Sequence, residues 1–352
     1  MLYYLWENSI SLPYRAFAAF AVALLLALAF GNRLIAVLKE HQAKGQPIRL
    51  DGPQSHLLTK QGTPTMGGLL ILGSAIAAML LCCRLTNPFV WIAILVLVVY
   101  GVTGFVDDYV KVTKQTANAM TAKTKLVLQF STALIAVLVI TYMTPEADRY
   151  LLTFPYFKQL ALNLWLFYVP FAMVVIAGAS NAVNLSDGLD GLAAGLLMAA
   201  FGVFTVVALV CGTEISAYFY IMPLANAGEV AVVCAAVIGG CMGFLWFNAP
   251  KAKVFMGDTG SLALGALLGT VAVMTKHEIL LAVVGGIFVL EAVSVMIQVF
   301  YYRHSGGKRF FKMAPIHHHF EQCGWSETTV VIRFWIIAAV LALVGLLSLT
   351  VR

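Results

Sequence analysis

Charged residues are scarce in this chain. Asp, Glu, Lys and Arg make up 11% of its 352 residues, against 61% hydrophobic residues. Soluble domains carry roughly a quarter charged residues, so the composition excludes an ordinary soluble globular protein. The mean hydropathy of +0.91 agrees with this, and the sequence therefore predicts an integral membrane protein.

Disulfide and zinc patterns are missing as well. No two of the six cysteines are spaced as a CxxC pair, and most lie in or beside apolar segments, so they are predicted to be small apolar fillers. The chain has no long linker or low-complexity tract, which favours one domain over residues 1–352. The N-terminal stretch lacks a basic region and a small-residue cleavage site, so we expect the first apolar segment to be a retained helix.

The chain has instead ten apolar segments that are long enough, or nearly so, to cross a bilayer as helices, which takes about 20 residues. Glycine and alanine are common in them, as expected for helices that pack together in lipid. The sequence predicts an all-α polytopic membrane protein with about ten transmembrane helices. The segments are residues 16–37, 67–85, 89–106, 126–143, 160–179, 192–211, 229–247, 260–275, 279–302 and 330–350.

Lysine and arginine predict the orientation of these helices. If both termini lie outside, the inner loops hold 16 of these basic residues and the outer side holds six. Basic residues are enriched in cytoplasmic loops, so both termini are predicted on the periplasmic or outer side. The five cytoplasmic loops are then residues of about 38–66, 107–125, 180–191, 248–259 and 303–329.

Short acids and imidazoles collect on the same predicted face. Six of the seven aspartates and six of the seven histidines lie in or beside these loops. Acids contribute little to membrane orientation, so topology does not explain them and a function at this face does. The aspartates are Asp51, Asp107, Asp108, Asp187, Asp190 and Asp258.

Two stretches concentrate the acids. In GFVDDY, Asp107 and Asp108 end a predicted span, and neighbouring side chains on a helix point roughly 100° apart. One carboxylate could therefore hold a cation while the other accepts a proton. The alternative is that both belong to a solvated helix end. In NAVNLSDGLDG, polar residues recur every three positions from Asn181 to Asp190, which would place them on one helical face. Packing alone explains that polar stripe poorly.

Two further loops offer groups for an anionic ligand. Asp258, in FMGDTGS, precedes a span, where it is either an N-cap, which this context alone favours, or part of a phosphate-binding helix start. Phe255 beside it could stack on a planar base or anchor the interface. The histidines of MAPIHHHFE diverge as neighbours and lack a zinc partner in register, so phosphate or sugar binding is favoured over a metal site.

Together these loops place carboxylates, lysines, glycine turns and histidines on one membrane face. Hard oxygen ligands in this number favour Mg²⁺ bridging a pyrophosphate. Phosphoryl transfer needs mainly metal, positioning and charge neutralisation from a protein. The residues alone therefore predict a Mg²⁺-dependent phosphotransferase at the inner face of a membrane.

Five motifs make the chain resemble the phospho-N-acetylmuramoyl-pentapeptide transferases, which belong to the polyprenyl-phosphate N-acetylhexosamine-1-phosphate transferase superfamily. The motifs are DGPQSHLLTKQGTPTMGG, GFVDDY, NAVNLSDGLDGLA, FNAPKAKVFMGDTGSLALG and MAPIHHHFE. The likeness runs from about residue 14 to the C-terminus. The aspartate motifs mark the superfamily, whereas MAPIHHHFE with TPTMGG is specific to this family.

The resemblance implies a ten-helix transferase domain, often a homodimer, in the bacterial inner membrane with its active site at the cytoplasmic face. Its substrates would be UDP-N-acetylmuramoyl-pentapeptide and undecaprenyl phosphate, its products lipid I and UMP, and its cofactor Mg²⁺. Membrane lipid is an expected partner and nucleic acid is not.

The resemblance also assigns roles to residues. Asp107 and Asp108 match the catalytic aspartate pair, Asp258 the Mg²⁺-associated aspartate and His317 the essential histidine; the three aspartates are the candidate metal ligands. Phe255 is expected against the uracil. The full set of candidate substrate-binding residues is Lys60, Thr65, Lys125, Asn184, Asp187, Asp190, Asn248, Phe255, Gln298 and His318.

The working hypothesis for the mechanism is a single displacement. Asp107 accepts any proton on undecaprenyl phosphate, whose oxygen attacks the β-phosphorus while Mg²⁺ on Asp258 neutralises the departing UMP. A two-step route through an aspartyl-phosphate stays open. So do two rival functions, a UDP-N-acetylglucosamine:undecaprenyl-phosphate phosphotransferase and, more distantly, a secondary transporter, although transporters place ionisable groups near the membrane midplane.

Overall fold

The structure is a computed structural model that describes residues 11–42, 62–116, 119–219 and 221–351. Its helices within these ranges are α1 Leu12–His41, α2 Gly68–Cys82, α3 Pro88–Lys114, α4 Ala122–Met143, α5 Tyr168–Ser186, α6 Leu192–Cys211, α7 Ile215–Tyr218, α8 Ala227–Asn248, α9 Gly257–Met274, α10 Glu278–Val284, α11 Gly286–His304, α12 Ile316–Gln322 and α13 Glu327–Thr350. Two strands, β1 Leu151–Phe154 and β2 Phe157–Asn163, form an antiparallel hairpin between α4 and α5.

Nine helices of the described residues are long and apolar enough to cross a membrane, so the predicted all-α multi-pass class is confirmed. The one predicted span that is not among these nine helices, residues 67–85, forms the shorter helix α2 of 15 residues. At 1.5 Å per residue α2 is about 22 Å long, against a bilayer core of about 30 Å. The side of the membrane on which the termini lie stays a prediction.

Two predicted spans have the wrong bounds. The segment 279–302 is divided into α10 and α11 at Gly285, where the helical ladder is interrupted next to a second glycine. The segment 160–179 begins as strand β2, because a turn at Tyr156, whose φ is 70°, folds it back onto β1. The sequence interpretation contained no strand, and this hairpin corrects it.

Helices α8 and α9 form the centre of the molecule. The most apolar 18-residue window of α9 is 89% buried and that of α8 is 78% buried, whereas the corresponding values for α1, α11 and α13 are below 30%. Helix α8 packs against α1 and α6, and α9 packs against α3 and α5. Small residues allow these helices to approach closely, as is usual in membranes. The N-terminus of α9 is thereby held against the C-terminal half of α3.

A buried ionisable cluster lies at the other end of α9. The Nζ of Lys276 donates to the carbonyl of Arg149 at 2.7 Å and lies 3.7 Å from the centroid of the Tyr168 ring. Glu278 accepts a hydrogen bond from the Tyr168 hydroxyl. Burial lowers the pKa of Lys276 to about 8 and raises the pKa of Glu278 to about 7.

Candidate active site

Three helices bring a group of charged side chains together, which we call the charged cluster: Asp107, Lys111, Lys125 and Asp258. The first two lie on α3, Lys125 lies in the first turn of α4, and Asp258 lies in the first turn of α9. Asp107 lies about two turns before the end of a helix that continues to Lys114, so the cluster faces the side of α3 and not its tip.

Each lysine of the charged cluster contacts both carboxylates. Lys111 Nζ lies 2.7 Å from Asp107 Oδ2 and 3.0 Å from Asp258 Oδ2. Lys125 Nζ lies 2.7 Å and 2.8 Å from the same two atoms. Only 1% of the Asp107 side chain is exposed, and a desolvated carboxylate needs such partners to stay ionised. Two ammonium groups are thus held where an anionic ligand could meet them.

Asp108 has different contacts from its neighbour. Its Oδ1 accepts from the backbone N–H of Asp258 at 3.2 Å, and its Oδ2 accepts from the N–H and hydroxyl of Thr259 at 3.0 and 2.8 Å. It therefore caps the N-terminus of α9 from α3, where a negative charge is favourable. Asp107 and Asp108 thus have different surroundings, but neither matches a carboxylate that is free to accept a proton, and their predicted roles stay predictions.

Asp258 does not cap its own helix, so the N-cap interpretation that its context favoured is wrong. The N-cap position is Met256, and Asp258 is the second residue of α9. Its Oδ2 takes the two lysines, and its Oδ1 accepts from Asn184 Nδ2 at 2.9 Å. The side chain is free for this because Asp108 supplies the cap.

Two glycines permit the close contact of α3 with α9. A Cβ added at Gly104 would lie 2.1 Å from the carbonyl oxygen of Asp258. Gly257 has a φ of 73°, and a Cβ there would lie 2.5 Å from both Asp108 Oδ2 and Thr65 Oγ1. Only glycine adopts this conformation at no steric cost, so the sequence MGD fixes the start of α9.

Thr65 is held beside these residues by α1. Gln42 Oε1 accepts from the N–H of Thr65 at 2.9 Å, and Gln42 Nε2 donates back to its carbonyl at 3.2 Å. The Thr65 hydroxyl is buried and has no hydrogen-bond partner within the part of the chain that the structure describes. It is thus available to a ligand. Lys60, another predicted substrate-binding residue, lies outside the described residues.

The predicted polar stripe is divided by the end of α5. Asn184 reaches the charged cluster and also donates to Ser261 Oγ at 2.8 Å, whereas Asn181 donates to Gln129 Oε1 at 2.8 Å. The helix ends at Ser186, and Asp187 is its C-cap. The prediction that residues 181–190 share one helical face was therefore wrong, because α5 is followed by a turn with glycines at 188 and 191.

Asp190, Asn248 and Phe255 connect loops around the cluster. Asp190 Oδ2 accepts from the N–H of Ala252 at 3.0 Å. Asn248 accepts from Gly191 N–H and donates to the Val254 carbonyl, both at 2.9 Å. The backbone of Phe255 pairs with Pro64 and Gly67. These contacts hold the loops in place, and the predicted substrate-binding roles of the three residues stay predictions.

The three histidines have three different surroundings. His317 is fully buried on α12, and its Nδ1 lies 3.0 Å from Oε2 of Glu291 on α11. His318 Nδ1 lies 2.6 Å from Glu321 Oε2. His319 Nδ1 accepts from the N–H of Lys312 at 3.1 Å. The three Nδ1 atoms have separate partners, but the rings of His317 and His318 lie only 4.1 Å apart between centroids, so the expectation that adjacent imidazoles diverge was wrong for this pair.

Gln298 lies farther along α11. Its Oε1 accepts from the backbone N–H of Phe311 at 2.8 Å. It lines a cavity of about 330 Å³ together with Arg303 and Arg309. The side chain thus supports the loop before the histidines, and a direct substrate contact stays a prediction.

The carboxylates of the charged cluster fit Mg²⁺ in one of the forms in which proteins bind it. Mg²⁺ is usually held by one or two carboxylates, with waters and substrate phosphates as the remaining ligands. Asp107 Oδ2 and Asp258 Oδ2 are directed at the same two ammonium groups, which shows that both oxygens face one cationic position. Both oxygens of Asp108 are occupied by α9, which makes it the least suited of the three candidate ligands.

Two residues of the site were missed by the sequence interpretation. Lys111 lies one helical turn after Asp107 in DDYVK, so the i,i+4 spacing of an acid and a base on a helix was an available signal. Glu291 lies well inside the predicted span 279–302, and an acid at such a position was by itself an available signal of a functional residue. Its partner His317 is 26 positions away, and no spacing rule connects them.

Comparison with known families gives two matches. Residues 90–276, slightly more than half of the chain, match the family model described as Glycosyl transferase family 4. Residues 60–72 match phospho-N-acetylmuramoyl-pentapeptide-transferase signature 1. The first match contains Asp107, Asn184 and Asp258, and the second contains Lys60 and Thr65.

Two relatives are similar over nearly the whole chain. A phospho-N-acetylmuramoyl-pentapeptide-transferase of Ruegeria sp. (strain TM1040) is 50% identical over 342 residues, which cover 97% of this chain and 94% of the relative. A protein of the same name from Rickettsia canadensis (strain McKiel) is 49% identical with the same coverage.

Proposed function

The chain belongs to the phospho-N-acetylmuramoyl-pentapeptide-transferase family, and on that premise we propose how its charged cluster carries out the reaction. The enzyme transfers phospho-N-acetylmuramoyl-pentapeptide from its UDP-linked form to undecaprenyl phosphate, which gives lipid I and UMP for peptidoglycan synthesis. The names of its relatives favour this donor over UDP-N-acetylglucosamine.

The observation that carries the proposed mechanism is the sharing of two lysines between two carboxylates. Lys111 and Lys125 can turn toward the diphosphate of the donor without leaving Asp107 and Asp258, because each ammonium has three donor hydrogens. Their charge then opposes the negative charge that develops on the departing UMP. Helix α9 adds its N-terminal dipole in the same direction.

Asp107 is the proposed proton acceptor. Its Oδ1 is fixed by the N–H of Met120 at 2.9 Å, and its Oδ2 lies 2.7 Å from the ammonium group of each lysine. From this position it takes a proton from undecaprenyl phosphate, whose oxygen then attacks the β-phosphorus as the bond from that phosphorus to UMP breaks. Asp108 keeps α9 in place meanwhile. An aspartyl-phosphate on Asp107 is the alternative, and exchange of labelled UMP into the UDP-linked donor without lipid acceptor would support it.

We propose that Asp107 and Asp258 also hold Mg²⁺. A bound Mg²⁺ supplies neutralisation of the diphosphate charge and helps to orient it. We expect chelation with EDTA to abolish UMP release and added Mg²⁺ to restore it, as measured with detergent-purified enzyme. Restoration by Ca²⁺ to the same rate, or activity that survives chelation, would contradict this proposal.

Asn184, Thr65 and His317 are proposed to contact the donor. Asn184 and the buried Thr65 hydroxyl border the carboxylates, and the Phe255 ring is proposed to stack on the uracil. Lys60, Asp187, Asp190, Asn248, Gln298 and His318 complete the proposed substrate-binding set.

The enzyme is a multi-pass membrane protein, and we propose that it lies in the bacterial inner membrane with the charged cluster at the cytoplasmic face. The excess of basic residues in the loops on that side supports this orientation. A homodimer is proposed from the family resemblance, and light scattering of the detergent-purified protein measures it.

UMP release tests the function directly. UDP-N-acetylmuramoyl-pentapeptide and UDP-N-acetylglucosamine are supplied in parallel with undecaprenyl phosphate and Mg²⁺, and Asp258→Ala serves as the inactive control. We expect release with the muramoyl donor only, and its loss in the control. Release with the glucosamine donor would keep the chemistry but overturn the assigned substrate.

A further inference from the structure

Glu291 and His317 form a buried pair that joins α11 to α12. Both side chains are 0% exposed, and Glu291 Oε2 lies 3.0 Å from His317 Nδ1. Helix α11 is one of the least buried spans, so a fully buried acid on it needs a reason. Carboxylates inside a span are costly and usually face a partner.

The carboxylate of Glu291 determines which ring nitrogen of His317 carries the hydrogen. An ionised carboxylate offers only acceptors, so pairing with an ionised Glu291 requires the hydrogen on Nδ1 and leaves the other ring nitrogen, Nε2, as the acceptor of a neutral imidazole. Neither Nε2 nor Glu291 Oε1 has a hydrogen-bond partner among the residues that the structure describes, although both are buried. A buried polar atom without a partner costs free energy, which argues for a ligand at Nε2.

Nε2 is directed at the turn that follows α5. A Cβ added at Gly188 would lie 2.4 Å from Nε2 and 2.9 Å from the adjacent ring carbon. Gly188 follows Asp187, and α5 before it carries Asn184 into the charged cluster. The φ of Gly188 is not in the left-handed region, so the reason for a glycine here is the ring and not the backbone.

We propose that Glu291 is a positioning residue, which fixes His317 as the Nδ1–H tautomer with Nε2 presented to the substrate at the Gly188 turn. The proposal rests on the proposed function, since it assigns the action of His317 to one nitrogen in that reaction. Carboxylate partners of functional histidines act in this way in other enzymes.

Glu291→Gln separates this role from a purely structural one. Glutamine has the same shape and can either accept from Nδ1 or donate to it, so a structural tie between α11 and α12 survives. Donation places the hydrogen on Nε2 and removes the acceptor that the proposal needs. We therefore expect kcat to fall about 10- to 100-fold, with the KM for the donor changed less than about threefold.

Glu278→Gln is the matched control, because it makes the same change in a buried carboxylate with one side-chain partner. Helix α9, about 27 Å long, separates it from Asp258. Its UMP release should stay within about twofold of the parent enzyme. Parental kcat in a Glu291→Gln variant whose Nε2 has become protonated would overturn the proposal.

Gly188→Ala is the second variant, in case Glu291→Gln folds poorly. Its Cβ would displace Nε2, so kcat should fall at least about tenfold. Gly178→Ala on α5 is its control, because a Cβ there meets nothing within 4 Å. Equal activity of the two alanine variants would count against the proposal.

The tautomer is measured without substrate by ¹⁵N spectra of histidine-labelled protein, with His317→Gln identifying the signals. An unprotonated Nε2 in the parent that becomes protonated in Glu291→Gln supports the proposal, and a protonated Nε2 in the parent overturns it. If the parent releases no UMP, the proposed function has failed, and these spectra still decide the tautomer.

Discussion

Lys111 and Lys125 differ in how the fold holds them, although their contacts with the carboxylates are alike. Lys111 is on the same helix as Asp107, one turn later, so their pairing needs only α3. Lys125 comes from α4 and is 22% exposed. Lys111 is therefore the fixed part of the charged cluster, and Lys125 is the part with freedom to follow a ligand.

Replacing Lys111 by methionine should lower kcat about 100-fold, since loss of one preorganised donor at a reacting centre costs this order of magnitude. UMP release at saturating donor measures it. Lys114→Met, an exposed lysine at the end of the same helix, is the matched control. Similar rates in the two variants would remove Lys111 from the mechanism.

Asp108→Ala should mainly lower stability. It leaves the N–H groups of Asp258 and Thr259 and one hydroxyl without their acceptor, at a cost of about 1–3 kcal/mol for each buried group left unpaired. The apparent melting temperature in detergent should fall by several degrees, while Glu146→Ala, at an exposed acid, leaves it unchanged. An unchanged melting temperature for Asp108→Ala would mean that another group caps α9.

At this scale the sequence predicted which residue types collect, but not their contacts. Asp107 and Asp258 were predicted as Mg²⁺ ligands, and this stays a prediction; their shared contacts with two lysines were not predicted. The sequence did not predict that Asp108, and not Asp258, caps α9, because this depends on the contact between α3 and α9 at Gly104.

At the scale of elements, the α9–α10 connection stands out because it buries charge at a helix end. Lys276, Tyr168 and Glu278 join this connection to α5, and the hydroxyl of Thr153 on β1 donates to the Lys276 carbonyl at 2.5 Å. The hairpin, α5 and α10 are thus fastened at one point. The protonation state of Glu278 therefore affects how the hairpin, α5 and α10 pack together.

Protonation of Glu278 should therefore make the stability of the enzyme depend on pH below neutrality. Burial raises its pKa from 4.5 to about 7, so the folded chain binds the proton more tightly than the unfolded chain. The stabilising contribution is complete below pH 4.5 and is lost as the pH rises through 7. Melting temperature measured from pH 4.5 to 7.5 should fall more steeply for the parent than for Glu278→Gln. Parallel curves would contradict the raised pKa.

The ends of helices were predictable only where the hydropathy of the sequence changes at the same residues. The long spans α6 and α8 agree with their predicted segments, whereas α3 was predicted to end at residue 106 and continues to Lys114. The division at Gly285 lies inside an unbroken apolar run, so composition does not reveal it. The hairpin depends on pairing between residues 151 and 163, which a hydropathy pattern does not contain.

For the whole molecule, the cysteines offer a direct test of orientation. Of the six free cysteines only Cys323, after the histidine helix α12, is exposed. If that end faces the cytoplasm, a membrane-impermeant maleimide should label Cys323 in inverted vesicles and not in intact spheroplasts. Glu146→Cys, placed just beyond the opposite end of α4, should show the reverse pattern. Labelling of Cys323 in spheroplasts would invert the proposed topology.

The unequal lengths of α2 and α3 have a consequence for how the two substrates meet. Asp107 lies about 10 Å before the end of α3, and Thr65 lies just before α2, which is too short to match the bilayer core. The reacting groups are thus sunk below the level at which the longest helices emerge. A hydrophobic acceptor can deliver its phosphate at headgroup depth and need never be lifted out of the leaflet, whereas the water-soluble nucleotide sugar must descend to it.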